Sequence, residues 1–165
     1  MSHLIFLVFA FSVSLGNIFQ QKEWHNHNAN APETWQKEML DLTNEIRKKG
    51  CQCGRDKMPA QKALKWNNTL ALAAQKHAED MYKNNFIGHN GSNGSRIGQR
   101  VERAGYNWKS VAENVAWNIR TVKGAMSSWK NSPGHCQNIM GGYTEMGAAK
   151  AGPFWVQVFA RPSNR

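Results

Sequence analysis

Ser132-Pro133-Gly134-His135-Cys136-Gln137-Asn138-Ile139-Met140 places a proline and a glycine directly before a histidine and follows it with an Asn-Ile-Met run. Proline fixes φ and glycine reaches conformations that other residues avoid, so Ser-Pro-Gly reads as a tight turn. Such a turn aims the His135 imidazole at a cleft and away from bulk solvent. Two other polar residues, His89 and Glu113, lie in similar loop-like surroundings with glycine nearby. The expectation is that these three side chains meet in space.

Working outward, Val122, Ala125, Met126 and Trp129 form a helical stripe that ends before this turn. Beyond it come two strand-like runs, Glu145 to Ala149 and Phe154 to Ala160, separated by Gly152-Pro153. That dipeptide suits a hairpin turn. The second run is almost wholly apolar, which predicts a central strand covered on both faces. Upstream, Val111-Ala112-Glu113-Asn114-Val115-Ala116-Trp117 is an apolar stretch broken by an acid and an amide. A carboxylate in apolar surroundings needs a partner, so Glu113 calls for a histidine, a metal or backbone N–H groups. A purely structural carboxylate is the plainer alternative.

The earlier part of the chain is helical in pattern. Pro32-Glu33-Thr34 opens a helix in which Trp35, Met39, Leu42 and Ile46 form one stripe. Arg47, Lys48 and Lys49 suit its C-terminal end, and Gly50 can close it. Residues 50–60 read as a loop carrying Cys51 and Cys53, and Leu64-Lys65-Trp66 as a short extended piece. Asn67 or Asn68 can cap a second helix, with Leu70, Ala74, His77 and Met81 on its inner face. His77 on that face reads as a hydrogen-bonded core histidine. Ala71, Ala73, Ala74 and Ala78 would let another element approach closely. Gly88 and Gly91 bracket His89, while Phe86 and Ile87 can pack. Ser95 caps a short helix with Ile97, Val101 and Ala104 inside and Gly105 at its end. Helices first and paired strands late predict an α+β arrangement, with helices on either side of a small antiparallel sheet.

The chain has 165 residues, which favours one domain with a single sizeable core. Seven tryptophans and seven phenylalanines argue for a packed globule and against disorder. The formal charge is +10, from 21 basic and 11 acidic residues, and the basic residues are scattered. This describes a soluble basic surface that can be drawn to anionic membranes or polysaccharides. No groove-reading motif or stacking platform appears, so nucleic acid is not expected as a partner.

Leu4 to Leu15 is an apolar run followed by Gly16. It is shorter than the ~20 apolar residues of a comfortable membrane span. Ser14 and Gly16 have cleavage-site spacing, so residues 1–16 read as a secretory signal peptide, with an uncleaved anchor as the alternative. Residues 17–31 read as a mobile polar leader and 32–165 as the globular domain. No stable membrane span is expected elsewhere. Export permits disulfides, but Cys51, Cys53 and Cys136 are an odd number. A bridge between Cys51 and Cys53 would be strained, so Cys136 with one of that pair is the expected bond. No usual zinc spacing completes the Cys-Gln-Cys pair.

Six motifs carry a resemblance. Met39-Leu40-Asp41-Leu42-Thr43-Asn44-Glu45-Ile46-Arg47, Leu64-Lys65-Trp66-Asn67, Gly88-His89-Asn90, Ala112-Glu113-Asn114-Val115-Ala116, Ser132-Pro133-Gly134-His135 and Trp155-Val156-Gln157-Val158-Phe159 occur in this order. In this register the chain resembles the CAP superfamily of cysteine-rich secretory proteins, antigen 5 and plant pathogenesis-related protein 1. The likeness covers about residues 35–162, and the Ser-Pro-Gly-His form is similar to the compact subgroup common in bacteria.

The resemblance implies a secreted α-β-α sandwich with a cleft lined by two histidines and two glutamates. His89, Glu113 and His135 match three of the four. The second glutamate of the family follows the helix tryptophan, whereas Trp129 here precedes Lys130, Asn131 and Ser132. Ser132 is nearest to the missing place, and Glu145 is an acid close by in sequence only. Two imidazoles and a carboxylate can hold Zn²⁺ with a position open for water, so His89 and His135 are candidate metal ligands. They can equally form a metal-free hydrogen-bonded cluster, and no cofactor is required. No serine or cysteine nucleophile with an obvious base is spelled out. The resemblance thus implies an extracellular binding protein, with a sterol or lipid ligand and a defence or venom-like role. A metal-dependent hydrolase using the same cleft is the alternative.

Overall fold

The computed structural model describes residues 32–163. The expectations for the signal peptide and the polar leader lie outside the described residues. Five helices and six strands follow in order: α1 (Thr34–Lys49), β1 (Cys51–Cys53), β2 (Asp56–Met58), β3 (Lys65–Trp66), α2 (Asn68–Asn84), α3 (Ile97–Arg103), β4 (Trp108–Trp117), α4 (Val122–Asn131), α5 (Pro133–Met140), β5 (Glu145–Ala151) and β6 (Phe154–Pro162).

The main sheet has the order β3-β5-β6-β4. β6 is central, and it pairs antiparallel with β4 and β5. The two-residue β3 runs parallel to β5, a detail the sequence did not disclose. Alternation along β6 divides the core into two layers. Trp155 and Phe159 face α1, α4 and α5, where Met39, Met126, Trp129 and Ile139 are buried. Val156, Val158 and Ala160 face α2 and α3, where Leu70, Ala74, Met81 and Val101 are buried. The architecture is the expected α-β-α sandwich, and Gly152-Pro153 makes the β5–β6 turn with Gly152 at φ +53°.

Each helix start has a local cause. The Glu33 backbone N–H donates to Gln36 Oε1 at 2.9 Å. Asn67 caps α2 by accepting from the Thr69 and Leu70 backbone N–H groups. The small residues of α2 allow the close approach expected of them. A Cβ on Gly147 of β5 would lie 2.1 Å from the Ala71 backbone nitrogen, so only glycine fits there.

Several expectations need correction. Ser132-Pro133-Gly134 is not a free turn but the start of α5, with Ser132 as N-cap and Pro133 in the first turn. Proline suits that position because its missing N–H would have had no partner there. Residues 50–60 are not a plain loop: β1 and β2 form a hairpin turned through Gly54, whose φ is +61°. Arg96, not Ser95, caps α3, its N–H donating to Gln99 Oε1 at 2.9 Å. Ile87 is exposed rather than packed. Arg47 is not a solvated helix-end cation but is 1% exposed. Its guanidinium donates to the carbonyls of Lys62, Ile139, Gly141 and Tyr143 at 2.8, 2.7, 2.8 and 3.2 Å. This joins α1 to the C-terminal end of α5, whose last carbonyls have no helical partner.

Candidate functional site

Glu113 sits on β4, the edge strand of the sheet, with its side chain in the α2–α3 layer. The neighbouring Asn114 points to the opposite layer, where its Nδ2 donates to the His135 carbonyl at 3.2 Å and to Gln157 Oε1 at 3.2 Å. Asn138, one turn along α5, donates to the Glu113 carbonyl at 3.1 Å and to Asn114 Oδ1 at 2.9 Å. These bonds fix α5 against the edge strand. The site is therefore built at that edge, where residues from both helical layers reach one another.

The Glu113 carboxylate is surrounded by cations or their neutral forms. Its Oε2 accepts from Arg100 Nη2 at 2.7 Å. Its Oε1 lies 3.1 Å from His89 Nδ1 and 3.7 Å from His77 Nε2. Arg100 also donates to the carbonyls of Ser95 and His89 at 2.6 and 3.0 Å, and so shapes the loop that carries His89. His77 Nε2 lies 2.8 Å from the Gly88 carbonyl, which anchors the same loop when that nitrogen carries the proton. His77 is thus a structural histidine, as its place on the helix predicted, and it lies against the candidate site.

His89 and His135 come together with ring centroids 6.5 Å apart and planes inclined by 50°. The His89 side chain is 56% exposed while that of Glu113 is 2% exposed, so the carboxylate holds the imidazole from below. The hydrogen bond to Glu113 raises the His89 pKa above its ordinary value, with burial opposing. Burial lowers that of His135, and the nearby His89 adds to the effect. Burial likewise lowers that of His77. The two facing imidazoles are therefore set apart in proton affinity.

The expectation that these residues occupy loops is corrected: Glu113 lies in a strand and His135 in the first turn of a helix. Sequence reasoning also missed Arg100, which it counted among scattered surface cations. The clue was present, since Glu113 in an apolar strand demands a partner and Arg100 adjoins the inner face of α3. Glu145 is committed elsewhere: it accepts from the Tyr106 hydroxyl, and from Asn67 Nδ2 at 3.2 Å. Both Glu113 oxygens are engaged, which leaves His89 Nε2 and the His135 ring as the donors open to a metal. Among the described residues, the group of three metal-type side chains with ligand atoms within 4.8 Å of one another is Cys51, Cys53 and Cys136. Two of these are joined as the Cys53–Cys136 disulfide.

A groove between α1 and α4 is a separate concave feature. One cavity of about 270 Å³ has Leu42, Ile46 and Met126 in its lining, with Lys123 and Lys130 beside them. A second of about 210 Å³ shares Glu45, Ile46 and Lys130 with it and runs on past Lys49 to Cys51. The combination is an apolar surface beside the ammonium groups of Lys123 and Lys130 and the Lys49–Glu45 ion pair, 2.6 Å long.

A family model described as "Cysteine-rich secretory protein family" matches residues 40–159. The membrane protein YlbC of Bacillus subtilis is 31% identical over 129 residues, which is 78% of this chain and 35% of that protein. The extracellular protein containing a SCP domain from Bacillus anthracis superposes with a TM-score of 0.66 at 29% identity, covering 76% of this chain and 40% of the other. An outer surface protein from Borrelia burgdorferi has the same fold, with a TM-score of 0.67 at 20% identity over 77% of this chain and 92% of its own. The chain spans between about a third and two fifths of the two Bacillus proteins.

Proposed function

The chain belongs to the cysteine-rich secretory protein family, and on that premise we propose that it is an extracellular binding protein for an acidic lipid seated between α1 and α4. The observation that carries this reading is the groove itself. Its apolar side chains suit an acyl chain, because burying apolar surface is the main driving force for such binding. Lys123 and Lys130 beside it suit a carboxylate or phosphate headgroup, while Lys49 is paired with Glu45 at 2.6 Å. A neutral sterol would use the apolar part and ignore the lysines.

Export is supported by three observations. The apolar run Leu4 to Leu15 has the form of a signal. The Bacillus anthracis neighbour is described as extracellular. The Cys53–Cys136 disulfide belongs to an oxidising compartment. The test is mass spectrometry of lipids that co-purify with the protein from its native secretion. Enrichment of acidic lipids over the surrounding medium supports the reading. A lipid-free protein, or one carrying neutral sterols, overturns it.

A second reading, a metal-dependent hydrolase, draws on the imidazole pair. His89 Nε2 and the His135 ring would hold Zn²⁺, with Glu113 fixing His89 from behind as carboxylates do for metal-bound histidines. Bound zinc would supply a Lewis acid and an acidified water. Catalytic sites usually give three protein ligands, and this donor set gives two. Hydrolysis of peptides or esters by purified protein, lost on chelation, restored by Zn²⁺ and absent in folded His89→Ala, would favour this reading over the first.

A further inference from the structure

Three sulfur atoms converge where β1 meets α5. Cys53 and Cys136 are bonded and buried, at 1% and 0% exposure. The unbonded Cys51 places its Sγ 3.4 Å from Cys136 Sγ and 3.7 Å from Cys53 Sγ. We propose that Cys51, Cys53 and Cys136 form a thiol–disulfide exchange centre, in which Cys136 changes partner between Cys53 and Cys51.

The geometry favours this exchange over others. A direct Cys51–Cys53 bond would link two same-face positions of one strand, about 6.6 Å apart along the chain and with parallel side chains. That pairing is disfavoured, which leaves Cys136 as the shared partner. Cys51 now lies beside the existing bond, nearly equidistant from both sulfurs, so the exchange also needs Cys51 and Cys136 to shift until the attacking sulfur lines up with the bond that breaks. The step balances without a co-reactant. The Cys51 thiol gives its proton to solvent and its sulfur bonds to Cys136 Sγ. The Cys53–Cys136 bond breaks, and Cys53 leaves as a thiolate that takes up a proton.

Access is one-sided. Cys51 is half-buried and lines the cavity with Glu45 and Lys49 of α1 and Lys130 of α4. Burial pushes its thiol upward in pKa and Lys130 opposes this. The thiolate is the nucleophile, so exchange speeds up as pH rises. The exchange has a structural consequence, because Cys136 follows His135 on α5. A change of partner moves the tether of the helix that carries one imidazole of the candidate site.

The experiment uses the full chain without added reductant. Protein is held at alkaline pH, quenched in acid, alkylated and digested with trypsin. Cys51 and Cys53 fall in one peptide, Gly50–Arg55, and fragmentation locates the alkyl group within it. The expected result is transfer of part of the label from Cys51 to Cys53, with a matching Cys51–Cys136 cross-link. Cys53→Ser provides the second arm: its two remaining cysteines should pair, so no thiol titrates after denaturation. Label confined to Cys51 in the wild type overturns the proposal. Two titratable thiols in folded Cys53→Ser overturn it as well.

Discussion

Glu113 Oε2 lies 2.7 Å from Arg100 Nη2, with the two side chains 2% and 8% exposed. An ion pair in so dry a setting gains little net stability, yet removing one member strands the other charge. Glu113→Gln keeps the volume and deletes the charge. It should cost about 3–5 kcal/mol of unfolding free energy, read by denaturant titration. A cost within the range of ordinary surface substitutions would show that Arg100 finds another partner.

The imidazoles supply a test by pH. NMR titration should place His89 above the ordinary value of 6.5 and both His77 and His135 below it. Glu113→Gln should remove the upward shift of His89. The linkage has opposite signs for the two kinds. The contribution of His89 is present below 6.5 and lost as pH rises through its folded-state value. For His77 and His135, stability falls as pH drops below 6.5 toward their folded-state values. Coincident titration of His89 and His135 would contradict the geometry.

Gly147 marks the contact between β5 and α2. A Cβ there would meet the Ala71 backbone nitrogen at 2.1 Å and the Leu70 carbonyl carbon at 2.5 Å. Backbone cannot swing aside as a side chain does, so Gly147→Ala should cost about 3 kcal/mol or prevent folding. Thermal unfolding measures this, and an unchanged midpoint would refute the close packing.

Arg47→Met keeps the stem and deletes the donors to four carbonyls, of which those of Ile139 and Gly141 are at the end of α5. The expected loss is about 3 kcal/mol or more, since hydrogen bonds from a charged group are worth more than neutral ones. Amide exchange in α5 should speed up more than in α2. Uniform acceleration would mean that the arginine acts globally.

The parts of this fold that were legible in sequence are those encoded locally. Helical stripes such as Val122, Ala125, Met126 and Trp129 repeat at a spacing that only one conformation uses, and all four are buried. Gly152-Pro153 between two strand-like runs specified a hairpin, and the apolar β6 specified a covered strand. What stayed hidden depends on distant backbone. Arg47 reads as a solvated helix end until carbonyls from α5 surround it. Arg100 reads as a surface cation until Glu113, on the next strand, faces it. Ser132-Pro133-Gly134 is ambiguous in itself, because proline suits a turn and a helical first turn alike. His89, Glu113 and His135 were found as residues through glycine spacing and resemblance, but their assembly at the β4 edge needs the sheet order.

The most direct measurement is an equilibrium titration of the purified full chain with a fluorescent fatty acid. Saturable one-to-one binding is expected. Joint reversal of Lys123 and Lys130 to glutamate should weaken it about tenfold, equivalent to ~1.4 kcal/mol. His89→Ala should leave it unchanged. Absence of saturable binding, or affinity indifferent to the two charge reversals, would contradict the assignment of the α1–α4 groove.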